Sequence, residues 1–253
     1  MTFQRESLTV NGVKIVMLTA GAGDPLLYFH GAGTHPFDFA EPWAEHFKVM
    51  IPYHPNWGES ADAPEMDTVN DYMLHYLELI DQLKIDRAHI VGFSMGGRFA
   101  ATFGYEHRRR VNKLVLVAPA GLNVPEHPTA DLAKIPPGEI FSYLAEDVNV
   151  ILKHLPADPS DEFIAGRQRE AASFARLLQS GLISPKFPRW LHRLTMPTLI
   201  VWGEKDRIVP VGQVDSWTRL IPGSIVKRFP RAGHLVLDEA PASVAAITEF
   251  LRS

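Results

Sequence analysis

Cysteine is absent from the 253 residues, which removes disulfide frameworks, thiolate zinc sites, iron–sulfur ligation and cysteine nucleophiles together. An excess of one charge sign is missing as well. Lys and Arg number 25 against 29 Asp and Glu, a formal net charge of −4. Nucleic-acid binders carry a basic excess or a concentrated basic face. The one basic cluster, Arg108-Arg109-Arg110, falls where a helix should end, and there it suits the negative end of the helix dipole. Long apolar runs are lacking too. The longest, Leu114 to Leu122, contains Pro119 and falls far short of the ~20 residues that span a bilayer. The N-terminus has no signal-like apolar stretch. These absences point to a cytoplasmic protein with no nucleic-acid and no membrane partner. They set no oligomeric state.

What is present is ordinary for a globular chain: 46% apolar, 21% charged and 10% aromatic residues. The length fits one large core with a modest insertion. Ser7 to Val10 and Lys14 to Leu18 read as a β-hairpin around Asn11-Gly12, a strong two-residue turn signal. Pro25 to Phe29 is a continuous apolar run of the buried-strand kind. Strands are then expected at Val49–Pro52, His89–Phe93, Lys113–Ala118, Thr198–Trp202 and Ile225–Phe229. Helices are expected at Val69–Leu83, Met95–His107 and Ala240–Leu251. Strands alternating with helices predict an α/β fold, a mostly parallel central sheet with helices on both faces.

Around Gly121 the rhythm breaks. Residues 122–185 carry seven prolines and no convincing buried strand, but one well-marked helix, with Asp158 as its cap, Pro159 in its first turn and Gly181 as its stop. The domain reading is a core of residues 1–121 and 190–253 interrupted by a helical cap over 122–189.

Gly92-Phe93-Ser94-Met95-Gly96-Gly97 follows an apolar strand and opens a helix. That is the setting a G-x-S-x-G nucleophile elbow requires. The turn forces the serine into a strained backbone, and glycines two before and two after it remove colliding side chains. His30-Gly31-Ala32-Gly33 directly follows another strand, where a glycine-bearing loop can aim backbone N–H groups inward.

Taken together, these segments resemble the α/β-hydrolase fold family over nearly the full chain. His30-Gly31-Ala32-Gly33 is similar to its oxyanion loop and the Ser94 turn to its elbow. Gly203-Glu204-Lys205-Asp206 lies where the family carries its acid, and Ala232-Gly233-His234 where it carries its histidine. The order Ser…Asp…His is the family's. The resemblance implies Ser94 as nucleophile, His234 as base, Asp206 as the residue fixing the imidazole tautomer, and the N–H groups of Ala32 and Met95 as oxyanion donors. Glu204 and Asp238 compete with Asp206; Asp238 is read instead as the cap of the last helix. No metal or organic cofactor is expected.

Tyr53-His54-Pro55-Asn56-Trp57-Gly58-Glu59-Ser60 resembles the family's Asp-x-Pro-Gly-x-Gly-x-Ser stretch, with His54 near the usual aspartate and Asn56 in place of glycine. Asn tolerates positive φ, so the turn can survive. Trp57 either lines the pocket or packs inside. Candidate substrate contacts are Gly31, Gly33, Phe93, Trp57 and, from the cap, Phe141 and Tyr143. Apolar residues near the elbow favour a small carboxylic ester as substrate over a dienoate needing a fixed cation, and Arg167, Arg169 and Arg176 are read as solvated on a helix face. The alternatives are a C–C bond hydrolase of the dienoate kind and a catalytically silent small-molecule-binding relative.

Overall fold

The computed structural model of the chain describes residues 2–33 and 37–253. Asn11 and Gly12 both have positive φ, 50° and 85°, the handedness that lets a two-residue turn match the twist of its flanking strands. β1 (Gln4–Val10) therefore folds onto β2 (Val13–Ala20) with Val10 opposite Val13. Six further strands complete the sheet: β3 (Pro25–Phe29), β4 (Lys48–Pro52), β5 (Ala88–Phe93), β6 (Val111–Val117), β7 (Thr198–Gly203) and β8 (Ile225–Phe229). Their order is β1-β2-β4-β3-β5-β6-β7-β8. The first two pairings are antiparallel and the rest parallel.

The helices between strands are short of polar residues on their inner faces. α1 (Val69–Gln82) starts at a capping box: Thr68 Oγ1 accepts from the Asp71 N–H, and the Asp71 carboxylate accepts from the Thr68 N–H. Its Val69, Tyr72, Met73, Tyr76, Leu79 and Ile80, spaced three and four apart, are buried. α2 (Met95–Glu106) is buried along most of its length, as a helix lying across the sheet's centre must be. Between β6 and β7 the chain forms no strand, only short 3-10 turns and α3 (Ile140–Leu144), α4 (Asn149–Leu152) and α5 (Asp161–Gln179). α6 (Val214–Leu220), α7 (Val236–Glu239) and α8 (Pro241–Arg252) finish the fold.

One capping assignment changes. α5 is capped by Ser160, whose hydroxyl accepts the Phe163 N–H at 3.2 Å, and not by Asp158. Pro159 therefore lies before the cap, where its missing N–H costs nothing. Gly181, with φ of 101°, follows the helix end.

Strand order locates the working edge. The chain passes from β3 outward to β4, then crosses back to β5 on the other side of β3. At such a reversal the loops leaving the two strands diverge and open a crevice at their carboxyl ends. The loop His30–Gly33 and the turn at Ser94 leave from those two ends.

Candidate active site

Ser94 follows β5 at φ 53°, ψ −116°, a region non-glycine residues avoid and which costs on the order of 1–3 kcal/mol. Surrounding bonds hold it there: the Ser94 N–H donates to the Val117 carbonyl at 2.9 Å, and the Ser94 carbonyl accepts from Ala120 N–H at 3.0 Å. The turn is so tight that a Cβ on Gly92 would lie 2.3 Å from the Gly96 carbonyl oxygen. Gly31 approaches from β3; a Cβ there would sit 2.8 Å from the Phe93 ring and 3.2 Å from Ser94 Cβ. Any side chain at position 31 would push the loop off the serine.

β7 and β8 deliver the other two groups. Asp206 Oδ1 accepts the backbone N–H groups of Ile208 and Val209 at 2.9 and 2.8 Å. This fixes the carboxylate, and Oδ2 lies 2.8 Å from His234 Nδ1. His234 Nε2 lies 2.9 Å from Ser94 Oγ. Asp206 and His234 are buried, while Ser94 is half-buried. A carboxylate cannot donate, so Nδ1 carries the proton and Nε2 faces the hydroxyl as an acceptor. The three residues form a chain able to draw a proton off Oγ.

Met95 is the first residue of α2, where helical N–H groups lack intrahelical acceptors. Ala32 follows Gly31 in the loop packed on Ser94. Glu239, not singled out by the sequence, holds the histidine's loop. Its carboxylate accepts the Gly233 N–H at 2.6 Å and the Asp147 N–H at 2.9 Å. Nothing local marks it; a Glu in a short helix gains this role only by packing.

A cavity of about 630 Å³ opens beside the serine, within the size range of small-molecule sites. Ala32, Gly33, Phe93 and Leu235, neighbours of Ser94 and His234 along the chain or across the site, form part of its wall. The segment between β6 and β7 adds Phe141, Leu144, Phe163 and Arg167. Tyr143 and Phe174 are not on this wall; they pack on the core instead.

Three expectations are corrected here. Trp57 is fully buried in a cluster with His30, His54 and Tyr72 and is absent from the cavity wall. Packing among rings removes more apolar surface from water than a place on a wet wall would. Two of the α5 arginines are not simply solvated, although about a third of each side chain stays exposed: Arg167 lines the cavity and donates to the Gly33 carbonyl at 3.2 Å, with Glu170 at 2.5 Å, while Arg169 donates to the Gly58 carbonyl. Carbonyls on the facing core loops draw these cations inward. Asp238 does not cap the last helix, since α8 begins after Ala240 with no side-chain cap. It lies in α7, on the cavity wall. Burial pushes its carboxyl up to about 7, with Lys153 opposing the shift and Asp38 and Glu239 adding to it.

Arg98 points away from the cavity. It is buried, donates to the Leu182 carbonyl at 3.1 Å and stacks on the Phe187 ring at 3.6 Å. Asn56 has φ of 75° and closes its turn through Ala63, donating to its carbonyl at 2.9 Å and accepting its N–H at 2.8 Å.

His54 takes part in a second polar cluster. Its backbone N–H donates to His30 Nε2 at 3.1 Å, so the proton of His30 is on Nδ1, which donates to the Gly31 carbonyl at 2.7 Å. His54 Nε2 in turn donates to the His30 carbonyl at 2.9 Å, and Tyr76 donates to His54 Nδ1. The two imidazoles stack at 3.6 Å. Burial lowers the His54 pKa to about 3, so the ring is neutral. This cluster braces the first two residues of the loop that lies against Ser94.

Among curated proteins, the chain is 29% identical over 255 residues to a 2-hydroxy-6-oxo-6-phenylhexa-2,4-dienoate hydrolase of Burkholderia cepacia, covering 89% of this chain and 86% of that one. Among solved structures it resembles a bacterial membrane phospholipase A (TM-score 0.82, 24% identity, 99% of this chain and 86% of the other). It also resembles a 2-hydroxy-6-oxo-6-phenylhexa-2,4-dienoate hydrolase from Rhodococcus sp. strain RHA1 (TM-score 0.80, 23% identity, 99% of each chain). The last two likenesses are likenesses of fold. A model of the alpha/beta hydrolase family matches residues 26–247, spanning the loop, the elbow and the strand ends that carry Asp206 and His234, and the chain belongs to that family.

Proposed function

We propose that this hydrolase cleaves a small carboxylic ester through an acyl-serine intermediate. The observation that carries the reading is the 2.9 Å contact of His234 Nε2 with Ser94 Oγ, with Nδ1 held by Asp206. His234 takes the Oγ proton as Oγ attacks the ester carbonyl carbon. The resulting oxyanion is met by the N–H groups of Met95 and Ala32, a pair worth roughly 3–4 kcal/mol per donor in comparable sites. As the tetrahedral species collapses, the C–O bond to the alcohol breaks and His234 returns the proton to the leaving oxygen. Water then attacks the acyl-serine with the same base, releasing the acid and restoring Ser94. No cofactor is required by this sequence of steps. Residues 122–189 act as a cap whose Phe141, Leu144 and Phe163 select the substrate.

A second reading, cleavage of a dienoate C–C bond, has one observation in its favour: Arg167 is a cation on the cavity wall, suited to a substrate carboxylate. Its charge is already opposed by the buried Glu170 and its NH1 is engaged with the Gly33 carbonyl, so the ester reading is preferred. Purified enzyme should hydrolyse short p-nitrophenyl esters and react with a serine-directed phosphonate at Ser94. A kcat/KM about tenfold higher on 2-hydroxy-6-oxo-dienoates, lost in Arg167→Ala, would overturn the choice.

A further inference from the structure

The wall of the cavity is not apolar throughout. It includes Tyr28 from β3 and Asp238 from α7, together with His154. Tyr28 is fully buried, its ring held edge-on by Phe37 and Phe39. Its hydroxyl has no hydrogen-bond partner among the described residues. Leaving a phenol unsatisfied in the interior costs on the order of 1–3 kcal/mol. Asp238, half-buried, lies on the same wall, and its charge adds to burial in raising the Tyr28 phenol's pKa. The mechanism uses neither group. An unmatched phenol and a carboxyl thus share the wall of one largely apolar cavity.

We propose that Tyr28 and Asp238 form a subsite for a hydroxyl group carried by the substrate, the Tyr28 phenol donating to the ligand oxygen and the ligand O–H donating to the Asp238 carboxyl. A hydroxyl is the smallest group that satisfies both at once. An ammonium group fits less well, because it leaves the Tyr28 O–H without an acceptor and because Lys153 already brings positive charge to Asp238. A carboxylate would meet Asp238 as a like charge. The substrate class is therefore an ester whose acyl or alcohol arm bears a hydroxyl remote from the scissile bond. The inference rests on the ester reading only in that the ligand occupies the same cavity.

The test pairs esters identical but for a terminal hydroxyl in place of a terminal methyl. p-Nitrophenyl esters vary the acyl arm and monoacetates of straight-chain diols vary the alcohol arm, each in a chain-length series. Wild-type enzyme should show one arm and length at which the hydroxylated ester has a kcat/KM about tenfold higher, as a hydrogen bond of this kind supplies. The ratio should fall to near unity in Tyr28→Phe and in Asp238→Leu. Because the Tyr28 hydroxyl has no partner among the described residues, Tyr28→Phe should not lower the melting temperature; a marked drop would mean the hydroxyl serves the fold and would overturn the proposal. A ratio at or below one at every length, a ratio unmoved by either substitution, or a preference for the ammonium-terminated ester would also overturn it. Calorimetry on Ser94→Ala with diols and matched alcohols needs no turnover. Tighter diol binding there, abolished by adding Tyr28→Phe, supports the subsite even if no ester is hydrolysed, whereas equal binding of diol and alcohol rejects it.

Discussion

Two buried histidine clusters lie at the carboxyl ends of this sheet, and they do opposite things with the same side chain. At β3 and β4, His30 and His54 have their ring nitrogens matched to backbone groups or to the buried Tyr76. At β5, β7 and β8, His234 has Nδ1 matched to a fixed carboxylate, but Nε2 meets the hydroxyl of a half-buried serine beside a cavity. In the first cluster a proton that moved would leave a buried group unsatisfied. In the second the proton has a place to go. Burial alone does not separate them, since His30, His54 and His234 are all buried; the partner of the second nitrogen does.

The contrast can be broken most sharply at the serine. Ser94→Ala and His234→Ala should each reduce kcat/KM by several orders of magnitude, and the double variant should lose little more than either. Losses that multiply would mean the two residues do not act as one unit.

The other cluster should answer in stability. His54→Leu strands the Tyr76 hydroxyl and the His30 carbonyl and should cost about 2–4 kcal/mol, read as a lower urea midpoint, with a smaller fall in kcat/KM than Ser94→Ala produces. Equal catalytic losses would mean that the cluster takes part in the chemistry.

Acid should reveal the same division. Burial lowers the pKa of His54 to about 3 and of His75 to about 4, against an ordinary 6.5. Below 6.5 the unfolded chain binds protons that the folded one refuses, so these groups leave stability intact above that pH and erode it as pH falls toward 4. The urea midpoint should drop between pH 7 and pH 5, and His75→Gln, which replaces a ring whose Nε2 is buried without a partner among the described residues, should flatten the drop. A midpoint independent of pH over that range would show that the folded state accommodates the charge. The smallest effect belongs to Tyr76→Phe. Its ring stack on Phe29 at 4.2 Å survives while one donor is lost, about 1 kcal/mol; a much larger loss would mean that the His54–Tyr76 bond is central to the cluster.

Much of this was legible in order of residues. The alternation of apolar runs and helical stripes marks the parallel sheet because burial on two faces demands continuous apolar strands. Asn11-Gly12 marks the hairpin, and the glycines around Ser94 mark the elbow, because few other residues tolerate those backbones. The helix start at Ser160 was missed by two residues, since Asp158 and Ser160 are both good caps and only the turn's geometry chooses between them. The inward turn of Arg167 and Arg169 was missed because their acceptors, Gly33 and Gly58, belong to distant loops.

By itself, then, the sequence determined what depends on neighbours: strand, turn and helix, the strained serine, and the loops that carry an acid and a histidine. Only the tertiary structure decided what depends on partners remote in the chain. It chose the hydrogen-bond mate of His234, 28 residues from Asp206 and 140 from Ser94, withdrew Trp57 into the core, and placed Asp238 on the same cavity wall as Tyr28. Backbone preference is local and can be read along the chain, whereas the identity of a polar partner is fixed by how the strand ends are ordered across the sheet and by which group each one leaves to be satisfied.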